Sequence, residues 1–133
     1  ITVITCGQPQ LDTFPHIKEL AAAGVKVCCG VDNIQDLWSH FGNADLLQRA
    51  CLIAMKNSCR NDEDLEMVLD LCTRSGADLL GLEPWEPLPG YPADFLLVKG
   101  VCRAQCVAQP SAERMVFHRG KLIAKNCRLL EEK

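Results

Sequence analysis

The sequence has no excess of either charge, no long apolar run, and none of the short motifs that cradle phosphates or hold structural zinc. Fourteen basic residues against seventeen acidic ones leave a net charge of −3, which gives no basic footprint for nucleic acid. The one dense charged run, Asn61-Asp62-Glu63-Asp64, reads as a solvated helix start. No apolar stretch approaches the roughly 20 residues of a membrane span, and no charged start leads into an apolar signal segment. A soluble chain without membrane partners is expected. GxGxxG is absent, and Gly30-Val31-Asp32 is no phosphate loop. No CxxC pair occurs, and His16, His40 and His118 stand far apart, which argues against a zinc ribbon or finger.

What is present is a substantial core and many cysteines. With 133 residues, 48% of them hydrophobic, one domain is the default count. The nine cysteines fall mostly inside apolar segments, so small, reduced core residues and a cytoplasmic setting fit best. Cys102 and Cys106 could share a metal only from a helix, and their segment reads as strand or loop. The chain opens ITVITCG, without Met and already inside a β-branched run, as a piece excerpted from something longer would.

That opening run predicts a buried strand, broken by Gly7-Gln8-Pro9. Pro15 sits where a helix can start, Ile17, Leu20, Ala21 and Val25 mark its apolar side, and Gly24 is a plausible stop. VKVCC, residues 25–29, is a second strand, and strand-helix-strand in about thirty residues is the size of a βαβ unit with parallel strands. Residues 44–57 read as a helix, and Asn61 can cap another carrying Leu65, Val68, Leu69 and Cys72 on one side. Ser75-Gly76 should end it, with one more turn over residues 77–81. Beyond Gly81 the proline-rich EPWEPLPGYP excludes helix. Short strand-like runs follow, DFLLVKG, RMVFH and KLIAK, the last two joined as a hairpin through Arg119-Gly120. The expectation is an α/β piece over 1–81 and a small all-β piece over 82–133.

The decisive stretch is VKVCCGVDNIQDLW, residues 25–38, because an apolar strand there ends on one acid, Asp32. Side chains that do chemistry cluster at the carboxyl ends of parallel strands, and a carboxylate there can ligate a metal or act as a base. Gly30 would give the backbone freedom to turn. Asp32 with Gln35 equally has the spacing of a capping box, so a helix cap competes with chemistry.

Residues 21–48 resemble the last barrel strand and following loop of cytosine deaminases in the metal-dependent amidohydrolase superfamily. The matching elements are Ala22-Ala23-Gly24-Val25, Gly30-x-Asp32, Asp36-x-Trp38 and Gly42-Asn43-Ala44-x-Leu46-Leu47-Gln48. Ser75 to Leu82, Gly90-x-x-Ala93-Asp94 and Val116-x-x-Arg119-Gly120-Lys121-x-Ile123-Ala124 are similar to the superfamily's closing segment. The resemblance implies an α/β fold: the C-terminal portion of a (β/α)₈ barrel over 1–81, plus strands of a small composite β-sandwich over 82–133. It implies that Asp32 is metal ligand and proton-transferring catalytic residue, and that Trp38 and Asn33 lie at the substrate. It also implies one divalent iron or zinc ion in the complete enzyme. Two departures stand out. Val31-Asp32-Asn33 replaces the family's His-Asp-Asp, and the link from first strand to helix looks short.

A full barrel takes about 250 residues, and no His-x-His pair is present, so this chain alone is expected to hold no metal and to be inactive. The reading is then a fragment of a metal-dependent deaminase acting on non-peptide C–N bonds of a cyclic amidine or aminated, cytosine-like heterocycle. It would need its missing N-terminal barrel half or self-association. Alternatives are a truncated, inactive amidohydrolase remnant and a small α/β binding module.

Overall fold

The computed structural model of the chain describes residues 1–8, 14–82 and 88–131. The expected break at Pro9, the shortened link after the first strand and residues 83–87 of the proline-rich segment lie outside these. The fold is α/β. Strands β1 (Thr2–Thr5) and β2 (Lys26–Cys29) flank helix α1 (Ile17–Ala22), and they pair in parallel with Thr2 opposite Lys26 and Thr5 opposite Cys29. The βαβ expectation is met. Gly24 adopts φ +73 directly after α1, the left-handed conformation that ends a helix at little cost when no Cβ is present.

Helices α2 (Leu46–Lys56), α3 (Asp62–Leu71) and α4 (Arg74–Leu80) follow. Asn61 caps α3 by accepting from the Asp64 amide at 2.8 Å, as expected. The break after α3 comes at Cys72-Thr73 instead of Ser75-Gly76, which run on inside α4. Gly76 is tolerated there because its low helix propensity costs only about 1 kcal/mol. Gly81, at φ +64, closes α4.

The segment after residue 88 departs from the all-β expectation. Strands β3 (Phe95–Val98), β4 (Arg114–His118), β5 (Lys121–Lys125) and β6 (Arg128–Leu129) form an antiparallel sheet in chain order, but helix α5 (Arg103–Ala108) interrupts them. Cys102 caps α5 and Cys106 lies within it, so the strand-or-loop reading of that pair is corrected. Helical spacing there was masked by β-branched and polar neighbours, while burial of Ala104 and Val107 drives the helix. The β4–β5 hairpin is as expected, with Arg119 at φ +49 and Gly120 at φ +76. Its tip is tied back to Asp94, which accepts from the Arg119 amide at 2.6 Å and lies 2.8 Å from His118 Nδ1.

One core joins the parts. Val27 and Cys29 of β2 pack with Ile17, with Leu47, Ala50 and Ile53 of α2, with Val68 and Leu71 of α3, and with Val107 of α5. These are the alternate residues of β2 that face the helices, and Val3 of β1 packs beside them. The other face of the parallel pair carries Ile4, which is 61% exposed. Across the chain, Arg114 of β4 donates through Nη1 to both carboxylate oxygens of Asp45, at 2.9 Å each. Asp45 is also the N-cap of α2, accepting from Leu47 N at 3.0 Å and Gln48 N at 3.3 Å.

Two mostly buried charges that satisfy each other leave an uncompensated partner when one is removed. Arg114→Met should therefore lower stability by about 2 kcal/mol, the scale of a charged hydrogen bond in a partly buried setting. Asp45→Ala should lose about 1 kcal/mol more, because the cap goes too. Urea unfolding of the two variants measures the difference, and equal losses would remove the cap from this account.

Candidate functional site

The site begins where β2 stops. The Gly30 amide donates to Thr5 O at 3.0 Å, which extends the parallel ladder by one step before the chain leaves the sheet. Gly30 is not in a left-handed conformation, so the expected freedom to turn is not what it supplies. A Cβ there would meet only Ile4 Cγ2, at ordinary contact distance of 3.5 Å.

Asp32 follows, exposed, and its carboxylate makes no hydrogen bond or ion pair with any described residue. The capping-box reading is not realised. No helix starts within the next thirteen residues, and α2 is capped by Asp45. Gln35 sits at φ +48 and donates its side-chain amide forward to Gly42 O at 3.3 Å, not back toward residue 32. Asp32 is thus a strand-end carboxylate with no structural employment among the described residues.

The neighbouring acid, Asp36, is fully employed. Its Oδ1 accepts from the amides of Trp38 and Ser39, both at 2.9 Å, and its Oδ2 accepts from Asn33 Nδ2 at 2.7 Å. The Asp36 amide donates to Ser39 O at 2.8 Å. This is an Asx-type turn, in which a short acidic side chain replaces main-chain pairing. The Asn33 amide, with the Ser39 and Trp38 amides after it, holds the Asp36 carboxyl below the usual carboxylate range. Asn33 is therefore brought together with Asp36. Trp38 is displayed, 88% exposed, with Leu37 at 99% and Phe41 at 69% beside it. No described residue stacks on the indole.

The residues singled out in the sequence for metal and substrate do not form a closed site in this chain. Among the described residues, no three His, Cys, Asp or Glu side chains converge as a metal-binding group. One carboxylate is too few for a catalytic metal, so this residue set does not fit one unaided. A cleft of about 730 Å³ runs along β3, α3 and α5, and another of about 490 Å³ lies at the amino end of β2. Neither is lined by Asp32, Asn33 or Trp38. The sequence reading matched Asp36 to a motif but gave it no task. Its position two residues before an exposed Trp amide was the available signal. Arg49, 4% exposed on α2, was missed altogether.

No family model matches the chain. Individual relatives do. N-isopropylammelide isopropyl amidohydrolase of Pseudomonas sp. (strain ADP) is 29% identical over 124 residues, 92% of this chain and 30% of the relative. Among solved structures, N-isopropylammelide isopropylaminohydrolase of Burkholderia multivorans superposes with a TM-score of 0.87 at 35% identity, over 97% of this chain and 33% of that one. The 5-methylcytosine deaminase of Klebsiella pneumoniae, liganded with phosphonocytosine, gives a TM-score of 0.78 at 26% identity, over 100% and 35%. These relatives are hydrolases, deaminases and amidohydrolases by name. The chain is homologous to cytosine-deaminase-like members of the amidohydrolase superfamily, and it spans about a third of their length.

Asp36 makes the loop's order pH-dependent. Because its carboxyl titrates lower in the folded chain than when unfolded, the turn's contribution is complete above the ordinary Asp value of about 3.9 and fades as pH falls through the depressed one. Hydrogen exchange at the Trp38 and Ser39 amides should show protection at neutral pH that disappears in strong acid. In Asp36→Ala it should be absent at every pH. Protection that survives in the variant would mean the main chain alone sets the turn.

Proposed function

We propose that this chain is the carboxyl-terminal part of a metal-dependent deaminase that hydrolyses a non-peptide C–N bond of a small aminated or amide-containing heterocycle. The observation that carries the reading is Asp32. It is an unengaged carboxylate at the carboxyl end of a parallel strand, in a chain homologous to enzymes of that chemistry. On this reading residues 1–81 supply the last two strands of a (β/α)₈ barrel with their helices. Residues 82–133 supply strands of a composite β-sandwich. Ile4, 61% exposed on the face of the pair away from the helices, supports it, since parallel strands are ordinarily covered on both faces.

Asp32 is then the residue that moves the proton. Its exposed carboxylate accepts a proton from the attacking water and returns it to the departing nitrogen, a task a carboxylate performs when held within hydrogen-bond reach. Trp38 offers a flat apolar wall to a heterocycle, and Asn33, steadied by Asp36, offers an amide at its edge. A divalent iron or zinc ion belongs to the complete enzyme, held largely by side chains this chain does not contain. The 133 residues alone are inactive and pair with the missing barrel half or with each other through the open edges of β1 and β2. Nine free cysteines support a reducing, cytoplasmic setting.

The test is ammonia or amine release by the complete gene product from aminated triazines, pterins and pyrimidines. Asp32→Asn should reduce turnover by at least about 10²-fold with the fold intact by circular dichroism, the usual loss when a proton-transfer group is removed. Turnover that survives in Asp32→Asn would sink the assignment.

A further inference from the structure

Arg49 is the one charged side chain that the molecule buries without giving it a counter-charge among the described residues. It lies on the inner side of α2 among Leu47, Ala50, Ile53 and Ala54, and is 4% exposed. Its main chain takes part in the helix, yet its guanidinium has no hydrogen bond or ion pair with a described residue. The side chain reaches back beneath the 30–42 loop. A Cβ on Gly42, which sits at φ +97, would stand 2.6 Å from Nη2 and 3.6 Å from Cζ, and 3.9 Å from Asn33 O. The Arg49 carbonyl lies 3.5 Å from the corresponding point on Gly7, just past the end of β1. The guanidinium is therefore seated against Gly42 in the loop that follows β2, while only the Arg49 main chain approaches the end of β1.

We propose that Arg49 is the cationic half of an ion pair completed by a carboxylate that enters beside Gly42, at the loop that follows β2. A guanidinium stays charged throughout the accessible pH range, and burying it uncompensated is strongly unfavourable. Its planar fork matches a carboxylate in two-point fashion. A dianion fits less well, because the neighbouring cations among the described residues are engaged elsewhere. Arg114 is engaged by Asp45, and Lys56 donates to Gln8 O at 2.9 Å. The α2 amides that could greet an anion are taken by Asp45. Cys29 also faces this cation. Its thiol is held below the ordinary range, first by a hydrogen bond with Cys72 and to a lesser extent by Arg49, with burial opposing both. However, the Cys29 Sγ donates to Gly30 O at 3.5 Å, a bond only the neutral thiol makes. The carboxylate can come from elsewhere in the same protein or from a free ligand, and the two sources can be told apart.

The test uses the complete gene product labelled with ¹⁵N-arginine, the Arg49 Nε–H signal being identified by its loss in Arg49→Lys. A slowly exchanging signal in carboxylate-free chloride buffer that ignores added sodium formate assigns the carboxylate to the protein itself. A signal that moves saturably with formate assigns it to a free ligand. A signal that exchanges as fast as those of exposed arginines in both conditions overturns the proposal. So does thiolate absorbance near 240 nm that is lost in Cys29→Ser, since the counter-charge would then be Cys29. Arg49→Met adds an independent sign: its thermal midpoint falls if the guanidinium is paired and rises if it is buried alone. None of these readouts is catalytic, so their failure is separate from failure of the deaminase reading.

Discussion

The Asp45–Arg114 pair is the constraint on which the rest of the arrangement depends. Asp45 is asked to do two things with one carboxylate: start α2 and receive the guanidinium of β4. Because both are satisfied at once, the antiparallel sheet is fixed to the first turn of the helix that covers the parallel pair. That turn also launches Arg49 toward Gly42 and sets where the 30–42 loop must end. A small shift at Asp45 would therefore reach the loop that carries Asp32 and Trp38 without touching either. The pair is also partly shielded, with side chains 10% and 24% exposed, so salt screens it less than it would a surface bridge.

The loop beyond β2 divides its acids by task. Asp36 converts its carboxylate into three hydrogen bonds and pins the chain; Asp32, four residues earlier, is left without any. A fully engaged carboxylate is a poor base, since proton uptake would break the bonds that hold its charged form. An unengaged one is free to take a ligand or a proton. The physical contrast, more than the motif, makes Asp32 the reactive candidate and Asp36 its support. Asn33 belongs with the support, because its amide is a donor to Asp36.

Much of this was legible in the residues, for identifiable reasons. The parallel pair, α1 and α3 announced themselves through period-2 and period-3.6 apolar patterns with Gly24 and Asn61 as punctuation, signals that are local. The Arg119-Gly120 hairpin was legible because both turn residues need positive φ and glycine supplies one of them. The α5 helix was not, since six residues give too little periodicity and their burial depends on α3, remote in sequence. The same holds for Arg49 and Arg114. Each looks like any surface arginine until the tertiary fold places Gly42 over one and Asp45 against the other. The end of α3 was misplaced because Ser75-Gly76 is only a weak local break, and α4 carries both residues in its helical run.

The parallel pair also bears on what the chain can do unaided. The two strands have one face on the helices and, on the other, Ile4 61% exposed beside buried Cys28, whereas such strands are ordinarily covered on both faces. Their core nevertheless closes, through Val27, Cys29, Val68 and Val107, so the helical side is a packed unit and not a random remnant. Stability and reactivity are thereby separated in space. The packed side closes among the described residues, while Asp32, Trp38 and Ile4 are exposed. On the deaminase reading proposed above, a chain built this way gains catalytic meaning from what covers its exposed residues. On that reading, covering them would bring other groups within reach of Asp32 and exclude water from Trp38, the two changes the proposed role of Asp32 requires.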